Sequence, residues 1–87
     1  MIINDLRLVG TTSATKSIST TETLTSLSIN FSSISGATSY ICLPVSFLWY
    51  TPYNIAVSGT TIKFGAISVD SAIRHSGHIQ FFVFGTK

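Results

Sequence analysis

Hydrophobic and polar positions alternate with period two along most of the chain, and the residues carrying the alternation are β-branched or aromatic. That combination favours strands and opposes helices. Met1 to Val9 reads as an entry strand or arm, Gly10 to Ala14 as a small polar break, and Lys16 to Thr20 as a strand. Between Thr25 and Phe31 the residues Leu27, Ile29 and Phe31 share one face, while Ser26, Ser28 and Asn30 share the other. This is the pattern of a half-buried strand. Ser32 to Thr38, with Gly36, reads as a turn.

Beyond that turn, Ile41, Leu43, Val45, Phe47 and Trp49 form the more apolar row and are expected to face the core. The alternate row holds Tyr40, Cys42, Pro44, Ser46, Leu48 and Tyr50. Pro44 cannot donate to a ladder, so the segment is expected to be bulged there or to lie at an edge. Pro52 reads as a turn, Ile55 and Val57 as a short strand, and Gly59 as the centre of the next turn. Ile62 and Phe64 then share a parity that Ile67 and Val69 break. A bulge at Gly65 is expected to return all four to the core. In the last strand Ile79, Phe81 and Val83 alternate with Gln80, Phe82 and Phe84, so both faces are apolar towards its end. The expected fold is all-β, a small antiparallel β-sandwich or jelly-roll-like domain.

At 87 residues the chain holds one domain with a thin core, which disulfides, a metal or subunit association normally supplement. Cys42 is the single cysteine, so no disulfide forms within the chain, and it reads as a small core residue. Association remains. The strand with two apolar faces needs cover that a second copy supplies, and Tyr50, Phe82 and Phe84 are the expected outward aromatics of an oligomer interface.

Charge is sparse, with five Lys or Arg, three Asp or Glu and a net charge of +2. Nucleic-acid binding needs clustered cations, and Lys16, Lys63, Arg74 and Lys87 are scattered, so none is expected. Hydroxyls take the place of charges at the surface, with 26 Ser or Thr spread along the chain. Their interleaving with Ile, Val and Phe distinguishes the chain from a disordered stalk. No run approaches the roughly 18 to 20 apolar residues of a membrane span, and Met1 to Gly10 lacks the cationic and long apolar stretches of a leader. Neither membrane insertion nor a leader is expected.

The chain holds few groupings of reactive side chains. Arg74-His75-Ser76-Gly77-His78, with Asp70 upstream, is the densest cluster of reactive groups. Two histidines are too few for a zinc site, and the segment reads as a solvated loop in which Asp70 and Arg74 form a surface ion pair. Serine is too abundant for its nearness to a histidine to be informative, and there is no G-x-S-x-G elbow or close carboxylate pair. No catalytic residue, metal or cofactor is expected. Trp49, Tyr50 and Tyr53 are the candidate ligand-binding residues, since exposed aromatics stack on the apolar faces of sugars. The parity of Trp49 favours the core instead, with Tyr50 and Tyr53 at a subunit seam.

Gly10-Thr11-Thr12-Ser13-Ala14, the strand Thr25 to Phe31, the segment Tyr40 to Val45, the strand end Trp49-Tyr50 and the aromatic strand Ile79 to Gly85 occur in an order that resembles small head domains of phage tail-fibre, baseplate or head-fibre proteins. The resemblance spans most of residues 10–87 and rests on pattern and composition. It implies a non-enzymatic structural protein of the virion, a homotrimeric fibre, appendage or surface-decoration module that meets other virion proteins. Residues 1–14 would be its docking strand or arm and residues 15–87 its head. A bacterial surface glycan is the partner implied for adhesion. The alternative of a different class is a monomeric, lectin-like glycan-binding β-sandwich.

Overall fold

A computed structural model describes residues 7–87, which contain six strands and no helix. They are β1 (Leu8–Ile18), β2 (Leu27–Asn30), β3 (Ser39–Leu48), β4 (Tyr50–Ser58), β5 (Thr61–Ser68) and β6 (Gly77–Thr86). Two antiparallel three-stranded sheets result, in the orders β1-β6-β3 and β2-β5-β4. They pack as a sandwich. Ile18, Ile79, Phe81 and Val83 from the first sheet meet Leu27, Ile62, Phe64 and Ala66 from the second, and Tyr50 and Phe31 close the ends. Phe64 and Phe81 cross this interior edge to face, with ring centroids 4.8 Å apart.

Turn chemistry explains part of the path. β4 and β5 form a hairpin in which Ser58 pairs with Thr61, leaving Gly59-Thr60 as a two-residue loop. Gly59 has φ 60° at the first central position, where this kind of loop needs glycine for its left-handed backbone. Between β3 and β4 the chain changes sheet at Trp49 alone, which carries φ 68°. A bulky side chain rarely takes that conformation, so the surroundings must hold it.

Several expectations need correction. Gly10 to Ala14 is part of β1, paired along β6 and continuous with the strand expected to begin near Lys16. The arm expected at residues 1–14 falls partly on residues 1–6, outside the described residues. Pro52 sits inside β4 opposite Ala66, which an edge strand permits. β5 has no bulge at Gly65. The irregularity lies across the ladder, between Tyr53 and Ala56 of β4, so Ile62, Phe64 and Ala66 point inward and Ile67 and Val69 are exposed.

The largest correction concerns β3. Ile41, Leu43, Val45, Phe47 and Trp49 are all exposed, whereas Tyr40, Cys42, Pro44 and Ser46 are half-buried. Register explains the inversion up to the bulge: Cys42 pairs with Val83 and Pro44 with Phe81, both core residues, while Ile41 and Leu43 pair with the outward Phe84 and Phe82; beyond the bulge Phe47 pairs with the core residue Ile79 and is nevertheless exposed at the sheet edge. Residues opposite one another in a ladder share a face. The register of β3 shifts between Pro44 and Ser46, and β3 lies at the edge of its sheet.

Candidate functional site

Three regions gather the residues with chemical or recognition potential. The first is the corner around Tyr50. Its side chain is fully buried, and its hydroxyl donates to the His75 carbonyl and accepts from Arg74 Nε at 3.1 Å. The same guanidinium donates through Nη2 to the Ser19 and Glu22 carbonyls, each at 3.0 Å, and lies 5.6 Å from the Tyr50 ring centre. Arg74 thus ties the segment before β6 to the turn after β1. The expected Asp70–Arg74 ion pair is absent from these bonds. Asp70 instead receives His75 Nε2 at 3.0 Å and the Ala72 and Ile73 amides, and these bonds hold its carboxyl below the ordinary carboxylate range, the His75 bond contributing most.

Trp49 lies against this loop, its indole stacked on the His75 ring at 3.8 Å with 10° between planes. One face of each ring is therefore taken. Trp49 is neither a core residue nor a free platform, and Tyr50 is neither an outward aromatic nor able to reach a ligand or a second subunit. No group of three metal-ligating side chains occurs among the described residues. Arg74 was legible only as a charge; its bonds to Ser19 and Glu22, more than fifty residues away, leave no mark in local sequence.

The second region is the outer face of the β1-β6-β3 sheet. Phe82 is 37 % exposed and Phe84 half-buried, and their rings meet edge to face at 5.2 Å. Ile41 and Leu43 flank them in the ladder on the β3 side, 42 % and 49 % exposed, and Val45 continues the patch at the bulge. On the β1 side their neighbours are Thr11 and Ser13. Neither β3 nor β6 contains Asp, Glu, Lys or Arg. An apolar patch, edged by hydroxyls and without acidic or basic side chains on β3 or β6, thus covers the Phe82–Phe84 end of the outer face of these strands, with Gln80 and His78 continuing the row beyond it.

The third region is a groove of about 380 Å³ on the outer face of the other sheet, between β2 and β4 and above β5. Tyr53, Asn54, Lys63 and Ser28 line it, with Thr25 and Ser26 at one end. Tyr53 pairs with Gly65, and its ring lies across that glycine so closely that a Cβ there would collide with Cζ. Asn54 has φ 51° at the irregularity of β4, a conformation asparagine tolerates better than most residues. Bulges of this kind re-aim side chains beside binding sites. Of the three proposed ligand-binding aromatics only Tyr53 is both accessible and beside a cavity.

No family model, no curated protein and no solved structure matches the chain.

Proposed function

We propose that the protein is a non-enzymatic assembly module whose copies join through the outer face of the β1-β6-β3 sheet, as the homotrimeric head of a phage fibre, appendage or surface decoration. The observation that carries the assembly reading is the uncharged apolar patch of Ile41, Leu43, Val45, Phe82 and Phe84. Patches of this kind on an otherwise hydroxylated surface mark interaction sites. The occupant we assign is further copies of the chain. A foreign partner chosen by charge finds no charge to read on β3 or β6, and identical patches without charge meet without repulsion. Pro44 and the adjacent bulge blunt the β3 edge, so copies meet face to face in preference to extending the sheet. The virion setting rests on the resemblance in strand order and composition.

Leu43→Ser and Phe82→Ser test the reading, because both side chains lie outside the core and their replacement leaves the fold in place. Native mass by light scattering is expected to fall to that of one chain in each variant, with an unchanged circular dichroism spectrum. Retention of the parent's oligomeric mass in both variants refutes the assignment of this face.

A further inference from the structure

We infer that the groove over β5 is a saccharide site, and that it takes a pyranose bearing a carboxylate. It lies on the β2-β5-β4 sheet, the side opposite the proposed assembly face, so the two readings stand or fall separately.

Gly65 shapes the floor of the groove. Because it has no side chain, the Tyr53 ring from the neighbouring strand settles across the sheet, with Cζ, Cε1 and Oη all closer to the glycine than any Cβ allows. The ring stays partly exposed, at 36 % for the residue, and makes an aromatic surface beside the cavity. Lys63 stands two residues before Gly65 on the same face of β5, about 6.6 Å along the strand, close to the width of one sugar ring. Its ladder neighbours are Ser28 and Ala56, too short to cover the ammonium, and none of the ion pairs among the described residues involves it. Thr25, Ser28 and Asn54 complete the rim with hydroxyls and an amide.

Each group matches one part of such a ligand. The Tyr53 ring accepts the apolar C–H face of a pyranose, Lys63 pairs with the carboxylate, and the hydroxyl and amide side chains bond the ring hydroxyls. A peptide fits less well, since β5 is the central strand of its sheet and presents no free edge for strand addition. A phosphate or sulfate dianion fits less well too, because among the described residues Lys63 is the one cation lining the cavity and such groups draw several donors. The cavity is at the small end of the range for ligand sites, about 300 to 1,000 Å³, which suits one or two sugar rings.

The test is equilibrium binding of the full chain to immobilised oligomers of galacturonate, glucuronate, mannuronate and sialic acid, beside the neutral galactose, glucose and mannose oligomers. At least one acidic oligomer is expected to bind, its neutral counterpart to bind more weakly, and added salt to weaken the acidic interaction. Lys63→Gln, at an exposed position that leaves the fold intact, is expected to lower affinity about tenfold, the loss of one charge-assisted hydrogen bond. Tyr53→Ala is expected to lower it at least as far. Gly65→Ala, which pushes the ring away while keeping it, is expected to weaken binding as well. Phe82→Ser is expected to leave binding by a single chain unchanged. Failure of every acidic oligomer to bind, equal binding of the neutral counterpart, or unchanged affinity in Lys63→Gln overturns the assignment.

Discussion

Replacing Tyr50 by phenylalanine removes one oxygen and leaves the shape of the core untouched, so its cost isolates the hydrogen bonds at the corner between the sheets. The hydroxyl serves two partners, the His75 carbonyl and the Arg74 guanidinium, and the tyrosine is 0 % exposed. A neutral hydrogen bond contributes about 1 kcal/mol and one to a charged group about 1.5 to 3 kcal/mol, so the expected loss is about 2 to 4 kcal/mol. That is a large part of the roughly 4 to 13 kcal/mol expected of a domain this size. Urea denaturation at fixed protein concentration measures it directly. With a slope of about 1 to 2 kcal/mol per molar, the midpoint is expected to fall by about 2 M with the slope unchanged. Faster hydrogen exchange at the Ala72 and Ile73 amides is expected to accompany the fall, because Arg74 and His75 hold their loop through the same oxygen. A loss below about 0.5 kcal/mol would show that water replaces the hydroxyl, and would refute the view that this corner locks the segment before β6.

Two further expectations follow from neighbouring geometry. The Asp70 carboxyl, held below its ordinary range chiefly by His75, contributes stability that is complete above the unfolded value and lost as pH falls through the lowered folded value. Acid titration of the unfolding midpoint is therefore expected to be shallower in Asp70→Asn than in the parent, and identical profiles would contradict that role. Gly77→Ala would place a Cβ against the Leu48 carbonyl oxygen of the β3 backbone, which cannot rotate away as a side chain can. It is expected to cost about 2 kcal/mol or more by thermal or urea unfolding, and a neutral result would mean that the β3 edge yields easily.

Much of the architecture was legible in the sequence. Period-two alternation and β-branched content point to strands, and Gly59 marks its hairpin. Ile79, Phe81 and Val83 were readable as an inward row because they alternate cleanly with the less apolar side of β6. β3 departs from its expected orientation for a physical reason. Its outward row of Ile41, Leu43 and Val45 is more hydrophobic than its inward row of Tyr40, Cys42 and Pro44. Period-two reasoning assigns the more apolar row to the core, and a strand whose outer face is itself apolar defeats it. The β3–β6 register, which sets Ile41 and Leu43 beside the outward Phe84 and Phe82, is the missing information, and alternation alone does not specify it.

The site residues were readable to different degrees. Tyr53 was recognisable as an aromatic beside turn-forming residues, but Lys63 was not, since its position next to Tyr53 arises from the β4–β5 register and the irregularity at Asn54. The bond between Tyr50 and Arg74 joins residues that only the fold brings together. Trp49 looked like the end of a buried row. Its left-handed backbone, which turns the chain from one sheet to the other, is invisible to side-chain parity.

On the proposed function, further copies of the chain cover the apolar face of the β1-β6-β3 sheet. Native mass by light scattering coupled to size exclusion, over a range of concentrations, tests it most directly. A species of three times the 9.4 kDa of one chain, dissociating only on dilution, is expected. A well-folded single chain at every concentration, with Phe82 and Leu43 still open to solvent, would contradict it.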